Sequence, residues 1–153
     1  MTRFVRALSA LPLLLLATAC DGPTTPDIEN TTFASELNVD ISQMSKTPSG
    51  VYYRDFVQGT GAEAQSGSHL TVHYMGNLSD GTFVDSSLGG SPYGFTLGVG
   101  QVIRGWDDGL VGMKVGGTRQ LVIPPSLGYG SAAHGGIPGN SILVFQVQLV
   151  SIP

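Results

Sequence analysis

The chain of 153 residues contains one cysteine, Cys20, so an intramolecular disulfide is excluded. It has no G-x-S-x-G motif, no phosphate-binding loop and no zinc-ligand spacing, which argues against the common nucleophilic, nucleotide-dependent and zinc enzymes. His69 and His73 lie four positions apart. In a strand that separation is about 13 Å, so the two side chains cannot share a metal ion.

Long apolar runs are absent after the first twenty residues, and none reaches the ~20 residues of a transmembrane helix. Residues 1–19 follow a secretory pattern, in which Arg3 and Arg6 precede an apolar run that ends in small residues. With Cys20 directly after it, this segment resembles a bacterial lipobox. The resemblance implies cleavage before Cys20 and lipid attached to that cysteine. The alternative is ordinary cleavage after Ala19, which leaves a free N-terminal cysteine.

Positive charge is scarce. Without Arg3 and Arg6, five of the seven basic side chains remain against eleven acidic ones. A nucleic-acid-binding domain is expected to carry a basic face, so we expect no nucleic-acid partner. Lipid on Cys20 would instead make a membrane the partner. We therefore expect an extracytoplasmic, membrane-anchored lipoprotein at the periplasmic face of the inner membrane or at the outer membrane.

The region before the main domain divides into a tether and an arm. From Asp21 to about Asn30 the sequence is rich in Pro, Thr, Asp and Gly, which predicts a flexible tether. Between Phe33 and Met44 the apolar residues fit a strand and a helix about equally well, and we expect an extended arm lying on the domain. The predicted organisation is a lipoprotein signal peptide at 1–19, a lipid-anchored tether and arm at 20–47, and a folded domain at 48–153.

The folded domain is predicted to consist of short strands and turns with one helix. The predicted strands are Val51–Val57, Leu70–Leu78, Phe83–Ser86, Tyr93–Leu97, Thr118–Ile123 and Ile142–Ile152, and the predicted helix is Val102–Leu110. Apart from the helix, the connections are too short for crossovers, so the sheet should be largely antiparallel. The helix is the only candidate in the domain to cover its apolar face.

Four motifs carry a family resemblance. They are Val102-Ile103-Arg104-Gly105-Trp106-Asp107-Asp108-Gly109-Leu110, Val72-His73-Tyr74, Asp85-Ser86-Ser87 and Gly128-Tyr129-Gly130. Together they closely resemble the FKBP family of peptidyl-prolyl cis/trans isomerases, from about Gly50 to Ile152. The resemblance implies an α+β fold, with a curved antiparallel β-sheet wrapped around one short α-helix and a pocket between them. It also implies an enzyme without metal or cofactor that acts on proline-containing polypeptides and binds macrolide inhibitors. We expect a monomer.

Carried over residue by residue, the resemblance also implies a site. Catalytic roles fall on Tyr74, Asp85, Trp106, Tyr129 and Phe145, and substrate contacts on Val84, Tyr93, Phe95, Val102, Ile103 and Ile137. In the family picture Trp106 is the floor under the proline ring, Tyr74, Phe95 and Phe145 are the walls, and Val102 and Ile103 are the rim. The Ile103 N–H and the Tyr129 hydroxyl bind substrate carbonyls, while Asp85 orients the tyrosines and faces the twisting amide.

Such a site suits rotation about an X-Pro bond. The barrier of ~18 to 20 kcal/mol arises because resonance flattens the amide, and water stabilises that planar, charge-separated form. A dry aromatic site removes this solvation, and well-aimed donors favour the twisted state. No nucleophile is required. Two alternatives stay open: the aromatics are core residues, or the same pocket serves a non-catalytic proline-segment binding or chaperone module.

The sequence departs from the family pattern at the pocket wall. The family usually has Phe directly before the Asp-Ser-Ser motif, whereas this chain has Val84, with Phe83 one position earlier. Alternation along a strand should send Phe83 to the opposite face. The pocket is therefore predicted to keep an aliphatic wall where the family has an aromatic one. Tyr93 replaces another frequent phenylalanine and adds a hydroxyl group.

Overall fold

The computed structural model describes residues 25–153, so the predicted signal peptide, Cys20 and the first part of the predicted tether lie outside the described residues. Within that range the strands are β1 (Ser45–Lys46), β2 (Tyr52–Val57), β3 (His69–Leu78), β4 (Phe83–Ser86), β5 (Tyr93–Thr96), β6 (Thr118–Ile123) and β7 (Leu143–Ser151). The α-helix is α1 (Arg104–Gly109), and short 3-10 turns occur at Ile28–Asn30, Ser35–Leu37, Ile41–Gln43 and Pro125–Leu127.

These strands form one sheet in the order β1-β2-β6-β7-β3-β4, and β5 also pairs with β3. Every pairing is antiparallel. The predicted α+β class, an antiparallel sheet with one short helix, is confirmed, and the sheet stays open. The helix begins two residues later than predicted because Ile103 is extended, with φ −57° and ψ 147°. None of the described helices is long and apolar enough to cross a membrane.

Helix α1 packs on the inner face of the sheet at very close range. A Cβ added at Gly105 would lie 2.7 Å from Cδ1 of Ile123, and one at Gly109 would lie 2.9 Å from Cδ2 of Leu121. Glycine at these two positions, about one helical turn apart, therefore lets the helix backbone approach β6 directly. Trp106 and Leu110 enter the same core, in which the inward residues of β3, β6 and β7 are almost completely buried.

Arg119 ties the end of α1 to the sheet from within the core. Its side chain is 6% exposed and donates to both carboxylate oxygens of Asp55 on β2, at 2.6 and 2.9 Å. It also donates to the carbonyl oxygens of Gly109 and Val111, at 3.0 and 3.1 Å. The buried charge is thus paired, and the otherwise unpaired carbonyls at the end of the helix gain a donor.

Residues 25–44, called the arm below, cover the outer face of the sheet. Its side chains Ile28, Phe33, Leu37, Val39, Ile41 and Met44 pack against Tyr52, Val122, Ile142 and Val144. The arm lies on the domain as predicted, although it consists of 3-10 turns and extended links instead of one extended run.

The predicted tether is wrong for residues 27–30. Ile28 is only 5% exposed because its side chain completes the outer apolar cluster, and Asp27 caps the first turn by accepting from the Glu29 N–H at 3.0 Å. The Glu29 carboxylate accepts from the hydroxyl of Tyr52 and from Lys46. Strand pairing also starts at β1, before the expected domain boundary at residue 48.

Candidate active site

A cavity of about 390 Å³ opens between α1 and the inner face of the sheet. It is lined by Tyr74, Val84, Asp85, Tyr93, Gln101, Val102, Ile103, Trp106, Tyr129 and Phe145. These residues come from β3, β4, β5, β7, α1 and two loops, so only the folded sheet brings them together. Nine of the eleven residues predicted for the site line this cavity.

The floor of the cavity is a rigid aromatic cluster centred on Trp106, which is 4% exposed. The ring centroid of Tyr74 lies 5.2 Å from that of Trp106, and the centroid of Phe145 lies 5.3 Å from it. Both pairs are edge-to-face, the arrangement that aromatic quadrupoles favour. The floor therefore presents apolar ring surface with little freedom to rearrange.

The Asp-Ser-Ser motif holds Tyr74 through all three of its residues. The Tyr74 hydroxyl donates to Asp85 at 2.6 Å, the Ser86 hydroxyl donates to the Tyr74 carbonyl at 3.0 Å, and the Tyr74 N–H donates to the Ser87 hydroxyl at 3.0 Å. Burial and then the hydrogen bond to Asp85 raise the pKa of Tyr74 well above its ordinary value. Tyr74 consequently stays protonated and fixes the carboxylate at the cavity edge.

Tyr129 lies at the mouth of the cavity on a loop of defined geometry. Its ring stacks on His134 at a centroid distance of 4.6 Å and an angle of 9°. The His134 and Ile137 backbones bond to each other in both directions, closing a turn in which Gly135 and Gly136 have φ of 53° and 85°. Burial, and then the negative charge of Asp85, raise the pKa of the Tyr129 hydroxyl, which remains a donor at neutral pH.

The backbone N–H of Ile103 is the second predicted donor. Among the described residues it finds no hydrogen-bond acceptor, while the Ile103 carbonyl accepts from the Trp106 N–H at 2.9 Å. Ile103 lines the cavity beside Val102. This N–H can therefore bind a carbonyl oxygen of a ligand lying on the Trp106 floor.

Two predicted substrate contacts, Phe95 and Ile137, do not line the cavity. Phe95 is 1% exposed, stacked beneath Tyr93 at 5.7 Å and against Trp106 at 5.5 Å. Tyr93 lies two residues earlier on the same face of β5, so it forms the wall and Phe95 supports it from behind. Ile137 is 7% exposed and packs into the core.

Gln101 lines the cavity and was not predicted. Its side-chain carbonyl accepts from the Thr96 N–H at 2.8 Å, which fixes the loop before Val102. In the sequence, only its position next to the Val102–Leu110 motif indicated that Gln101 lies at the cavity. The structure places Val84 in the lining of the cavity and Phe83 outside it, with the Phe83 side chain 62% exposed.

A larger groove of about 860 Å³ lies on the other side of α1, and several of its charged groups are already paired. Asp107 accepts from the N–H groups of Gly98 and Gly100 at 2.7 and 3.0 Å, and Arg104 lies 3.5 Å from Asp108. It also lacks the aromatic floor. Within residues 25–153 no three His, Cys, Asp or Glu side chains are grouped so as to hold a metal ion.

The family described as FKBP-type peptidyl-prolyl cis-trans isomerase matches residues 61–150, more than half of the chain. The chain belongs to this family. An FK506-binding protein of Neisseria meningitidis serogroup B is 50% identical over 105 residues, covering 67% of this chain and 96% of that protein. FK506-binding protein 4 of Chaetomium thermophilum is 46% identical over 107 residues, covering 70% of this chain. The chain spans 22% of that relative and 24% of FK506-binding protein 3 of Candida albicans.

Solved FKBP structures show the same fold. The crystal structure of AtFKBP13 is 40% identical with a TM-score of 0.67, covering 72% of this chain and 98% of that one. The crystal structure of FkpA from Escherichia coli is 38% identical with a TM-score of 0.68, covering 76% of this chain and 55% of that one. The predicted family membership is thus confirmed, and the arm precedes residues 61–150, the part that matches the family.

Proposed function

We propose that this protein accelerates cis/trans rotation about X-Pro bonds in exported polypeptides. The observation that carries the proposal is the cavity itself, in which an apolar floor at Trp106 lies beside the Tyr74–Asp85 pair and the Ile103 N–H, which has no acceptor within residues 25–153. Its volume of about 390 Å³ suits one proline ring and its flanking peptide groups.

Desolvation supplies the first part of the mechanism. Trp106 and Phe145 are each 4% exposed, so a proline ring resting on them leaves water. The planar amide then loses the solvation that stabilises its charge-separated form, and the twisted form loses much less. The apolar rim at Val102 and Ile103 favours an apolar residue before the proline.

Fixed polar groups supply the second part. The Ile103 N–H and the Tyr129 hydroxyl hold substrate carbonyls, so rotation is confined to the bond over the floor. The Asp85 carboxylate is locked by Tyr74 and faces the rotating amide. No step requires a proton transfer or a covalent intermediate.

The test is a proline-limited refolding assay with purified variants. Trp106→Ala and Asp85→Ala should lower turnover by about an order of magnitude or more, because each removes a group that acts on the twisted amide. Phe83→Ala is the matched control, since that ring is exposed outside the cavity and its loss should leave the rate unchanged. Folded Trp106→Ala and Asp85→Ala proteins with wild-type rates would contradict the assignment.

The second candidate is a non-catalytic proline-segment binding or chaperone module. Val84 supports it, because this cavity wall is aliphatic where the family is usually aromatic. Measurable affinity for proline peptides together with negligible acceleration of isomerisation would favour the module. Inhibition of turnover by a macrolide would favour the enzyme and would establish that the cavity binds such inhibitors.

We also propose that lipid on Cys20 anchors the protein to a membrane outside the cytoplasm and that the domain works as a monomer. The lipobox-like end of the apolar run supports the anchor. Labelling with a fatty-acid tracer should mark the wild-type protein and spare Cys20→Ala. A Cys20→Ala protein that still carries label would overturn the anchor, and sedimentation of the purified domain tests the monomer.

A further inference from the structure

The arm touches the turn that leads into the cavity strand β4. The Ala34 N–H donates to the Ser79 carbonyl at 2.9 Å. The Ala34 methyl and the Glu36 carboxylate also lie against Gly81, where an added Cβ would come within 3.2 Å of the Ala34 Cβ and 2.5 Å of Glu36 Oε1. The arm therefore contacts the Ser79–Gly81 turn by a hydrogen bond and by close packing.

Strand β4 is tied to Tyr74 at its far end, through Asp85, Ser86 and the adjacent Ser87, and it is tied to the arm through the turn at its start. It has four residues and lies at the edge of the sheet, paired only with β3 among the described strands. The register of the β3–β4 pairing shifts at Val84. Phe83 pairs with Asn77 and Asp85 pairs with Gly76, so Val84 is the extra residue of a β-bulge. The position of Val84 and Asp85 thus depends on the turn that starts the strand as well as on the bonds to Tyr74.

A continuous chain of hydrogen bonds connects this turn to the centre of the sheet. Gln120 on β6 is 2% exposed and donates from Nε2 to the Leu37 carbonyl at 2.7 Å. The Leu37 N–H donates to the Ala34 carbonyl at 3.1 Å, and Ala34 donates to Ser79. The arm segment Ala34–Leu37 is consequently fixed at both ends, to β6 and to the β3–β4 turn.

We propose that the arm is a part of the catalytic unit, in which Ala34 and Gln120 act as positioning residues for Val84 and Asp85. The inference rests on the proposed function of the cavity. A loosened turn lets β4 move relative to β3, which shifts the Asp85 carboxylate and the aliphatic wall away from the substrate. The arm precedes residues 61–150, the part of the chain that matches the family.

Ala34→Pro on the full chain tests the hydrogen bond. The φ of Ala34 is −59°, which proline adopts without strain, so the substitution removes the N–H and crowds the Ser79 carbonyl. Thr32→Ala is the matched control, because Thr32 is an exposed arm residue and its substitution leaves the Ala34 N–H and the Ala34 methyl group in place. Ala34→Pro should lower kcat/KM about tenfold, since small displacements of positioning groups have large kinetic effects. It should also shift the emission of Trp106, the only tryptophan, whereas Thr32→Ala should leave both unchanged.

Gln120→Met removes the hydrogen-bond donor at the β6 end of this chain of hydrogen bonds and should lower kcat/KM in the same way. The test therefore stays decisive if Ala34→Pro fails to fold. Ile41→Ala is the control for general loosening of the arm. It removes apolar packing and should lower thermal stability without changing kcat/KM well below the melting temperature. Folded Ala34→Pro and Gln120→Met proteins with wild-type kcat/KM and emission would overturn the proposal. An inactive wild type would instead refute the proposed function, and the emission shift would still decide whether the arm positions the cavity.

Discussion

The substitution Gly76→Ala should disrupt the cavity through a single methyl group. Gly76 is buried on β3 directly opposite Phe145 of β7, and the phenyl ring lies over the glycine. An added Cβ would come within 2.8 Å of Phe145 Cδ1 and 2.9 Å of Cζ, and closer still to Cε1. Glycine at this position is therefore what allows the ring to lie where it meets Trp106.

The geometry sets the size of the effect. Carbon atoms in good contact are about 3.5–4.0 Å apart, so the ring or the strand must move by about 1 Å. Overpacking of this kind costs about 1–3 kcal/mol in the free energy of unfolding. Phe145 is held edge-on against Trp106, so a displacement of the ring also disturbs the floor of the cavity. A displacement of that size can lower kcat/KM by up to about 100-fold.

Urea unfolding gives the stability change, and a proline peptide assay gives kcat/KM. Gly90→Ala is the matched control, because its Cβ would meet only the Ser87 carbonyl at an ordinary 3.7 Å and should change neither quantity. A Gly76→Ala protein with wild-type kcat/KM and wild-type Trp106 emission would refute the reasoning. In that case Phe145 would not define the floor on which the proposed mechanism depends.

Three further predictions concern the wall, the core and the arm. Val84→Phe should raise kcat/KM severalfold in the peptide assay, since one added aromatic contact contributes about 0.5–1.5 kcal/mol. Arg119→Met should lower the free energy of unfolding in urea by about 3–5 kcal/mol, because Asp55 loses its buried partner. Hydrogen bonds from the Tyr52 hydroxyl and then from Lys46 lower the pKa of Glu29 from its ordinary 4.5. The Glu29 carboxylate therefore stabilises the fold above pH 4.5, and this stabilisation is lost as the pH falls through the lowered pKa. Between pH 5 and pH 3 the melting temperature of Glu29→Gln should therefore fall less than that of the wild type.

Much of the inner side of this fold could be predicted because local patterns and tertiary requirements agree there. Phe83–Ser86 and Thr118–Ile123 were predicted with the observed bounds, since turn residues mark their ends clearly. The helix was predicted too long because its first apolar residues, Val102 and Ile103, belong to the cavity rim and lie before the first helical turn. Periodicity alone cannot distinguish a rim residue from a helical one.

The errors in the site have a similar physical origin. Phe95 and Tyr93 share one face of β5, and the sequence does not say which of them reaches the mouth and which supports it from below. The curvature of the sheet and the depth of the core decide that. Gln101 was missed because a polar residue in a loop gives no periodic signal, and its role follows only from its bond to Thr96.

The docked arm did leave a trace in the sequence, in the outward positions of β7. Alternation predicts polar residues there, and Gln146 and Gln148 fit, but Ile142 and Val144 are apolar and only 3% exposed. The outer face thus changes from apolar to polar between Val144 and Gln146. A strand that is apolar on both sides must be covered on both sides, and α1 covers only one. The residues before β1 include a run of apolar side chains without another partner in the predicted fold. The break in alternation at Val144 therefore indicates that they fold back over the outer face of the sheet, as the arm does.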